Sequence, residues 1–343
     1  MTKHMFAGAS TPEGFIDLFD YIMPLKIAKK RYFLKGSSGS GKSTFIKKVA
    51  AHFENMGVEI EKFHCANDID SLDALAVPSL GLCIIDATVP HSHDPEIPIA
   101  IDKIIDFSEF MDEQKITKHI NEIKSLLLVK KAVNKKAAHY LAAVGNIYLA
   151  ENKDYLAAFK KDSLNELTKK WIKFLESHKG ANDFGSNRKL FLSAITPDGF
   201  TNFAGSYFSN CKVYGLLGGN YSVIDGFLTT IRDEANAQGI NTESFYSPFA
   251  PEIMEYLYLP KMKIAFAAVG SPFVYNGEVE EIIFESDIGK DKDYELFDTM
   301  LNKAIDTMMA SRKTHEKIEN IYINAMDFDN LNKMSEKIIN GIL

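Results

Sequence analysis

Two halves of the chain carry the same pattern of residues, and this internal repeat limits the fold more than any other feature does. Thr11-Pro12-Glu13-Gly14-Phe15 returns as Thr196-Pro197-Asp198-Gly199-Phe200, 185 residues later. From Tyr32 onward the offset is 182 residues, as in the pairs Tyr32 with Tyr214, Gly36 with Gly218, Phe45 with Phe227, Gly57 with Gly239, Phe63 with Phe245 and Pro78 with Pro260. The sequence therefore predicts a duplication. We expect two domains, residues 1–180 and 181–343, joined by a glycine-containing linker at 179–186.

Strands and helices are predicted to alternate within each copy. In the first copy the apolar and β-branched runs predict strands, and the 3.6-residue periodicity predicts a helix that stops at Gly57. The predicted strands are 31–35, 58–65, 80–85 and 104–107, and the predicted helix is 42–55. The Thr-Pro pair at the head of each copy predicts a helix start, because proline fits a first turn. Residues 113–178 and 294–342 have few helix breakers and predict a helical hairpin arm for each copy.

Composition narrows the range of partners. The net charge is −7, and the 39 Lys and Arg residues include only four Arg, so nucleic acid is not an expected partner. No run is apolar enough to cross a bilayer or to serve as a signal peptide, so we expect no membrane partner and a cytoplasmic location. The three cysteines form no CxxC pair, and reduced thiols are expected.

A glycine-rich segment between a predicted strand and a predicted helix carries the chemistry. It matches G-x-x-x-x-G-K-[ST] and consists of Gly36, Ser37, Ser38, Gly39, Ser40, Gly41, Lys42 and Ser43. Loop N–H groups and the positive end of the following helix bind phosphate in such a segment. Lys42 is predicted to reach the terminal phosphates, Ser43 to hold Mg²⁺ and Thr44 to contact the α-phosphate. ATP and Mg²⁺ are the predicted ligands. The predicted fold class is α/β, with two tandem P-loop-type, Rossmann-like domains built on mainly parallel sheets.

An acid is expected at the end of a neighbouring strand, where it orients Mg²⁺ or its water. Asp86 ends the apolar run Leu-Cys-Ile-Ile-Asp and is the candidate for this second metal-binding position. Polar residues that follow the other strands are expected at the same edge of the sheet. Among these, Asp68 or Asp70 is a candidate proton acceptor, and His91 is a candidate for ordering the γ-phosphate or a second substrate.

Two alternatives remain open for these polar residues. Asp70 and Ser71 equally predict the N-cap of a short helix beginning at Leu72. His91, His93 and Asp94 permit a zinc interpretation, although two histidines at i and i+2 are a weak signal.

The second copy lacks the groups that would bind nucleotide. At the offset of 182, Val223 replaces Gly41, Ile224 replaces Lys42, Asp225 replaces Ser43 and Ala268 replaces Asp86. The carboxylate of Asp225 is predicted to satisfy the N–H groups at the start of its helix. We expect this copy to pack on the first as a pseudo-symmetric partner, an intramolecular pseudo-dimer. The arginines that it could supply to the first site, or keep as surface residues, are Arg188, Arg232 and Arg312.

The chain also resembles a known family. The segments TPEG, FLKGSSGSGKST, FHC, SLD and IIDATVPH, with Asp94-Pro95 after them, are similar to those of a bacterial family of two-repeat P-loop proteins, usually called ATPase or nucleotide-kinase-like. This resemblance implies ATP binding and a P-loop fold. It draws attention to the residues at the motif positions: His64, Ser71, Asp73, Thr88, His91 and Asp94.

Three functions are compatible with the sequence. The first is a Mg²⁺-dependent ATPase with a single site. The second is a kinase that passes the γ-phosphate to a small molecule or to a nucleotide. The third is a nucleotide-sensing module that does not hydrolyse its ligand.

Overall fold

The computed structural model describes residues 2–153, 161–180, 182–217, 221–269, 275, 277–283 and 294–342. The strands of the first half are β1 (Thr2–Met5), β2 (Gly8–Thr11), β3 (Gly14–Asp17), β4 (Lys30–Lys35), β5 (Ile60–Cys65), β6 (Asp68–Val77), β7 (Leu82–Asp86) and β8 (Asp102–Asp106). Its helices are α1 (Lys42–Asn55), α2 (Glu113–Lys118), α3 (Ile120–Lys153) and α4 (Lys161–Glu176).

The second half has the same succession of elements. Its strands are β9 (Asn187–Leu190), β10 (Ser193–Thr196), β11 (Gly199–Asn202), β12 (Lys212–Leu217), β13 (Thr242–Tyr246), β14 (Met254–Leu259), β15 (Ile264–Ala268) and β16 (Glu280–Ile283). Its helices are α5 (Ala204–Tyr207), α6 (Tyr221–Ala237), α7 (Tyr294–Ile323) and α8 (Phe328–Ile342).

Each half contains one six-stranded mixed sheet. The first sheet has the order β1-β5-β6-β7-β4-β8, and the second has the corresponding order β9-β13-β14-β15-β12-β16. In the first sheet β6 runs antiparallel to both neighbours, and the other three pairings are parallel. The second sheet has the same pattern, with β14 as the antiparallel strand. The chain is therefore mixed α/β with parallel strands in both sheets.

The antiparallel strand β6 overturns one interpretation of the sequence. Cys65 pairs with Asp68, so only two residues separate β5 from β6. Such a short turn joins antiparallel strands, whereas a parallel connection requires a dozen or more residues. Asp70 and Ser71 consequently lie inside a strand, and the N-cap predicted at this pair is wrong.

The helix predicted after each Thr-Pro pair is also wrong, because both pairs form hairpin turns. Pro12 and Glu13 connect β2 to β3, where Thr11 pairs with Gly14. The Thr11 hydroxyl donates to the Gly14 carbonyl at 2.8 Å and accepts from the Glu13 N–H at 3.2 Å. Gly14 has φ +111°, a conformation open to glycine, and this stops the chain from continuing as a helix. Thr196 to Gly199 form the same turn between β10 and β11.

The two sheets lie face to face between two helical layers. Alternate residues of β7 show this arrangement: Ile84 packs in the core beneath α1, while Ile85 packs in a core shared with the second sheet. The same alternation places Phe266 beneath the helices that cover the second sheet and Ala265 in the shared core. The resulting order of layers is helix, sheet, sheet, helix.

Reciprocal contacts relate the two halves. Phe6 and Phe191 exchange backbone hydrogen bonds of 2.9 and 3.1 Å, so two residues in equivalent positions contact each other. Helices α3 and α7 run antiparallel along each other, and the Lys130 ammonium lies 2.8 Å from Nδ1 of His315. Reciprocal pairing of this kind is typical of a two-fold interface.

The helical arms are exchanged between the halves. α3 and α4 were expected to form a hairpin, but within the described residues α3 packs along α7 and α4 packs on α6. Trp171 and Leu175 of α4 join the core of the second sheet. In return, Leu331 of α8 is buried in the core of the first sheet beside α1. Hairpins were predicted from helical propensity alone, which does not specify the surface that an amphipathic face covers.

The segment predicted as a linker is packed against the second half. The Gly180 N–H donates to the Gln238 carbonyl at 2.8 Å, and the Gly185 N–H donates to the Asn236 carbonyl at 2.7 Å. Each half also completes the core of the other. The division into domains 1–180 and 181–343 stays a prediction.

Candidate functional site

The glycine-rich loop connects β4 to the start of α1, as the motif predicts. Gly39 has φ +74° and Gly41 has φ +91°, both in the left-handed region that favours glycine. These conformations turn the chain so that α1 begins at Lys42. The free N–H groups of the first helical turn and the positive end of the helix dipole therefore lie at the loop, which is suited to an anion.

Lys42 is buried inside this loop. Its ammonium group donates to the carbonyls of Gly36 at 3.0 Å and Ser37 at 2.7 Å, and lies 3.6 Å from Oδ2 of Asp86. Burial lowers the pKa of Lys42, and the neighbouring Asp86 carboxylate partly opposes this effect. A positive charge is thus held at the loop by main-chain oxygens and one carboxylate.

Asp86 and Ser43, the two candidate metal ligands, each have a defined partner near the loop. Asp86 ends β7 and pairs with Leu34 of β4, which brings it next to the start of the loop. Its Oδ1 accepts from the Thr88 hydroxyl at 2.6 Å, while Oδ2 faces Lys42. The Ser43 hydroxyl accepts from the Leu72 N–H at 3.0 Å. Each side chain keeps oxygen lone pairs with which it can bind a metal ion or a water.

A second carboxylate, Asp73, adjoins this group. Asp73 and Asp86 each lie one residue beyond the paired Ala74 and Ile85 on adjacent strands, so the two carboxylates are neighbours. Burial, together with the charge of Asp86, raises the pKa of Asp73 to about 6, although His91 and Lys42 act in the opposite direction. A buried carboxylate with this pKa can accept a proton near neutral pH.

His91 lies between the Asp86 main chain and the Asp73 carboxylate. Its Nδ1 lies 2.8 Å from the main-chain oxygen of Asp86, and its Nε2 lies 3.7 Å from Oδ2 of Asp73. The imidazole stacks on Phe19 with ring centroids 4.5 Å apart. These contacts fix His91 beside the predicted site rather than in an open loop.

The second half reaches the loop through α7. A Cβ added to Gly39 would lie 2.8 Å from Ile323 and 2.9 Å from Glu319, so this helix covers the loop closely. The Gly39 N–H interacts with the Glu319 carboxylate, whose pKa is raised by burial and by Asp68. One turn earlier, burial and the charges of Lys130 and Lys42 lower the pKa of His315 to about 4. No sequence motif points to Glu319, which is 280 residues from Gly39.

Other candidates lie farther from Lys42. Asp68 accepts from the Ser71 hydroxyl at 2.5 Å, and Asp70 is exposed. His64 lies 2.8 Å from His4, and His93 contacts Asp17. Two further candidates are exposed: Asp94, which pairs with Lys35, and Thr44, in the first turn of α1. Asp68 and Asp70 are therefore not brought to the Lys42 ammonium as Asp73 and Asp86 are.

The three arginines considered as contributions from the second half all have carboxylate partners. Arg188 is paired with Glu61 and Glu243 between the sheets, and Arg232 with its neighbour Asp233. Arg312 of α7 contacts Asp198 at 2.5 Å. Each side chain has a structural role in this arrangement.

The corresponding region of the second half has different chemistry. Asp225 accepts from the Met254 N–H at 2.8 Å, which reproduces the contact between Ser43 and Leu72 at the offset of 182. The expectation that Asp225 also satisfies the N–H groups at its helix start stays a prediction. Glu255 corresponds to Asp73, and burial raises its pKa to about 8. The equivalent of the loop start, residues 218–220, lies outside the described residues.

Neither a metal-binding cluster nor a membrane-spanning helix is found in the described part of the chain. Within it, no three His, Cys, Asp or Glu side chains are arranged to hold a metal ion, and His91 and His93 have separate partners. Within it, too, no helix combines the length and apolar character needed to cross a bilayer.

Comparisons of the chain with protein-family models, curated proteins and solved structures find no match. Membership of the P-loop family and a cytoplasmic location therefore stay predictions.

Proposed function

We propose that the chain is a Mg²⁺-dependent ATPase with one site, at residues 36–43. The observation that carries this proposal is the position of Lys42. Its ammonium lies at the start of α1, in contact with loop carbonyls and 3.6 Å from Asp86. The negative oxygens of a triphosphate can replace these main-chain acceptors around the ammonium group.

The residues present fit Mg²⁺. Ser43 follows Lys42 in the chain, and Asp86 lies 3.6 Å from the Lys42 ammonium. Both offer oxygen atoms, which are the ligands that Mg²⁺ prefers, and the ion commonly keeps several waters. Ser43 would bind the ion directly, and Asp86 would bind it or one of its waters. When bound, Mg²⁺ neutralises charge on the phosphate oxygens.

Asp73 supplies the proton acceptor in this proposal. A water oxygen attacks the γ-phosphorus, the bond from phosphorus to the oxygen bridging the β- and γ-phosphates breaks, and ADP and phosphate form. Asp73 takes a proton from the attacking water, and Lys42 stabilises the negative charge on the phosphate oxygens. His91, at 3.7 Å from Asp73, holds that carboxylate in place.

We propose further that the two halves arose by duplication and that each is built on a P-loop-type domain. The matching strand order and directions of the two sheets support this. So do the equivalent contacts of Ser43 with Leu72 and of Asp225 with Met254. Ile224 in place of Lys42 removes the ammonium group from the second copy, which leaves one nucleotide site per chain.

A turnover assay tests the proposed reaction. ADP formation should occur with wild type in the presence of Mg²⁺ and fall by about 100-fold or more in Lys42→Ala. Lys47→Ala is the matched control, because Lys47 is exposed on the same helix. ADP formation that requires an added metabolite pool would instead identify a kinase with a small-molecule acceptor. Undiminished turnover in Lys42→Ala would contradict the proposal.

A nucleotide-sensing module is the second candidate, and Glu319 is the observation that favours it. Its carboxylate interacts with the Gly39 N–H, so an anionic group of the second half already faces the phosphate loop. Phosphate and this carboxylate would repel each other, and nucleotide binding would then shift α7. Glu319→Gln should tighten ATP binding several-fold, as measured by calorimetry. Tightening without any ADP formation by wild type would select the sensor.

A further inference from the structure

An open cleft of about 1000 Å³ adjoins the phosphate loop. Its walls are residues 109–112 with Lys115, from the first half, and residues 325–330, which span the end of the α7–α8 connection and the first turn of α8. The two walls are joined by a short antiparallel bridge between Met111 and Met326. The Asp112 N–H donates to the Ala325 carbonyl at 2.9 Å, and the Asp327 N–H to the Phe110 carbonyl at 2.8 Å. The cleft is therefore formed by both halves together.

Direct contacts connect the cleft to the loop. The Ser37 hydroxyl lies 3.8 Å from the Met111 sulfur, so one wall begins beside the loop. A Cβ added to Gly41 would lie 3.1 Å from Leu331 and 3.7 Å from the Phe328 ring. An extended ligand whose phosphates are bound at residues 36–43 can thus continue into the cleft without crossing the core.

The charges in the cleft select which part of such a ligand it accepts. Four of its lining side chains are acidic and only Lys115 is basic, so the cleft repels phosphate. Asp112 and Asp327 already accept hydrogen bonds as helix caps. Within the described residues, Glu109 and Asp329 make no ion pair and can accept from hydroxyl or amino groups. Phe328 provides an aromatic ring that is 37 % exposed.

We propose that this cleft binds the nucleoside part of the nucleotide, with Phe328 against the base and Glu109 and Asp329 as acceptors for its amino group or the ribose hydroxyls. The inference rests on the proposed nucleotide binding at residues 36–43. It adds that the start of α8, in the second half, forms part of the binding site. Volume is consistent with this assignment, since small-molecule sites span roughly 300–1000 Å³.

Calorimetric titration of the full chain with MgATP and with tripolyphosphate tests the assignment. Tripolyphosphate has the phosphates of ATP but no nucleoside. Substitutions in the cleft should therefore change the affinity for ATP and not the affinity for tripolyphosphate. Phe328→Ala is expected to weaken ATP binding by about tenfold and to leave tripolyphosphate binding unchanged. Glu109→Gln, at an exposed position, should give a smaller loss for ATP alone. Phe184→Ala is the control, because Phe184 is 78 % exposed and does not line the cleft.

Each contrary outcome has a distinct meaning. Wild-type affinity for ATP in both Phe328→Ala and Glu109→Gln would overturn the nucleoside assignment while leaving the phosphate site intact. Equal losses of ATP and tripolyphosphate in Phe328→Ala would also overturn it, because the residue would then act on the loop. Binding of neither compound by wild type would overturn the proposed function and the assignment together.

Discussion

At the scale of single residues, Asp73 determines the pH dependence expected of the proposed hydrolysis. Its pKa is raised to about 6, chiefly by burial and then by Asp86. Only the ionised carboxylate accepts a proton, so kcat/KM should rise with pH through about 6 and then level off. Asp73→Asn should lower kcat by about 10²-fold or more and remove this dependence. Rates measured between pH 5 and 8 check it, and an unchanged profile in the variant would exclude Asp73 as the base.

The raised pKa of Asp73 also predicts how the stability of the fold depends on pH. A carboxyl group whose pKa is raised on folding stabilises the folded state most at low pH, and this contribution is lost as pH rises through the folded pKa. The free energy of unfolding contributed by Asp73 should therefore decrease as pH rises through about 6. Asp73→Asn should remove that decrease, which urea unfolding at several pH values measures.

Local sequence predicts some of the candidate site residues well and others poorly. Lys42 and Ser43 follow from a contiguous motif, and Asp86 follows from a strand pattern beside it. The importance of Asp73 depends on the register between β6 and β7, which the sequence does not specify. Glu319 reaches the loop only because α7 folds back over the first half.

At the scale of elements, long periodic segments were predicted more successfully than short ones. The predicted helix 42–55 and the observed α1 coincide, whereas each Thr-Pro segment forms a hairpin turn. Proline favours the second position of a turn as well as a first helical turn. Gly14 and Gly199, three residues after each threonine, are the signal that favours the hairpin.

The docking of α8 on the first sheet gives an element-scale prediction. Leu331 is 3 % exposed and packs in the core beside α1, close to Gly41. Leu331→Ala should lower the free energy of unfolding by about 2–5 kcal/mol, because it removes buried methyl groups and leaves a cavity. Leu128→Ala is the control, since Leu128 is 70 % exposed. Equal unfolding free energies for the two variants would contradict this docking.

At the scale of the whole molecule, the exchanged arms make the two halves interdependent. α4 completes the core of the second sheet, and α8 completes that of the first. The repeat was visible in the sequence because equivalent residues keep a constant spacing. The exchange was not, because an apolar helix face does not specify which sheet it covers.

Arg188 provides the whole-molecule prediction. It donates to Glu61 on one sheet and Glu243 on the other, and to the carbonyl of Tyr21. Arg188→Met would leave the buried Glu61 carboxylate without this partner and should cost about 3–5 kcal/mol of unfolding free energy. Arg232→Met, which breaks a surface pair with Asp233, should cost at most about 1 kcal/mol. Similar costs in urea unfolding would show that Arg188 does not join the halves.

The central claim is that one phosphate site survives, built around Lys42. Calorimetric titration of the full chain with MgATP should give one ATP per chain for wild type and for Lys47→Ala. Lys42→Ala should weaken binding by at least about tenfold, because it removes the buried positive charge from the loop. Unchanged affinity in Lys42→Ala, or two ATP molecules per wild-type chain, would contradict the account.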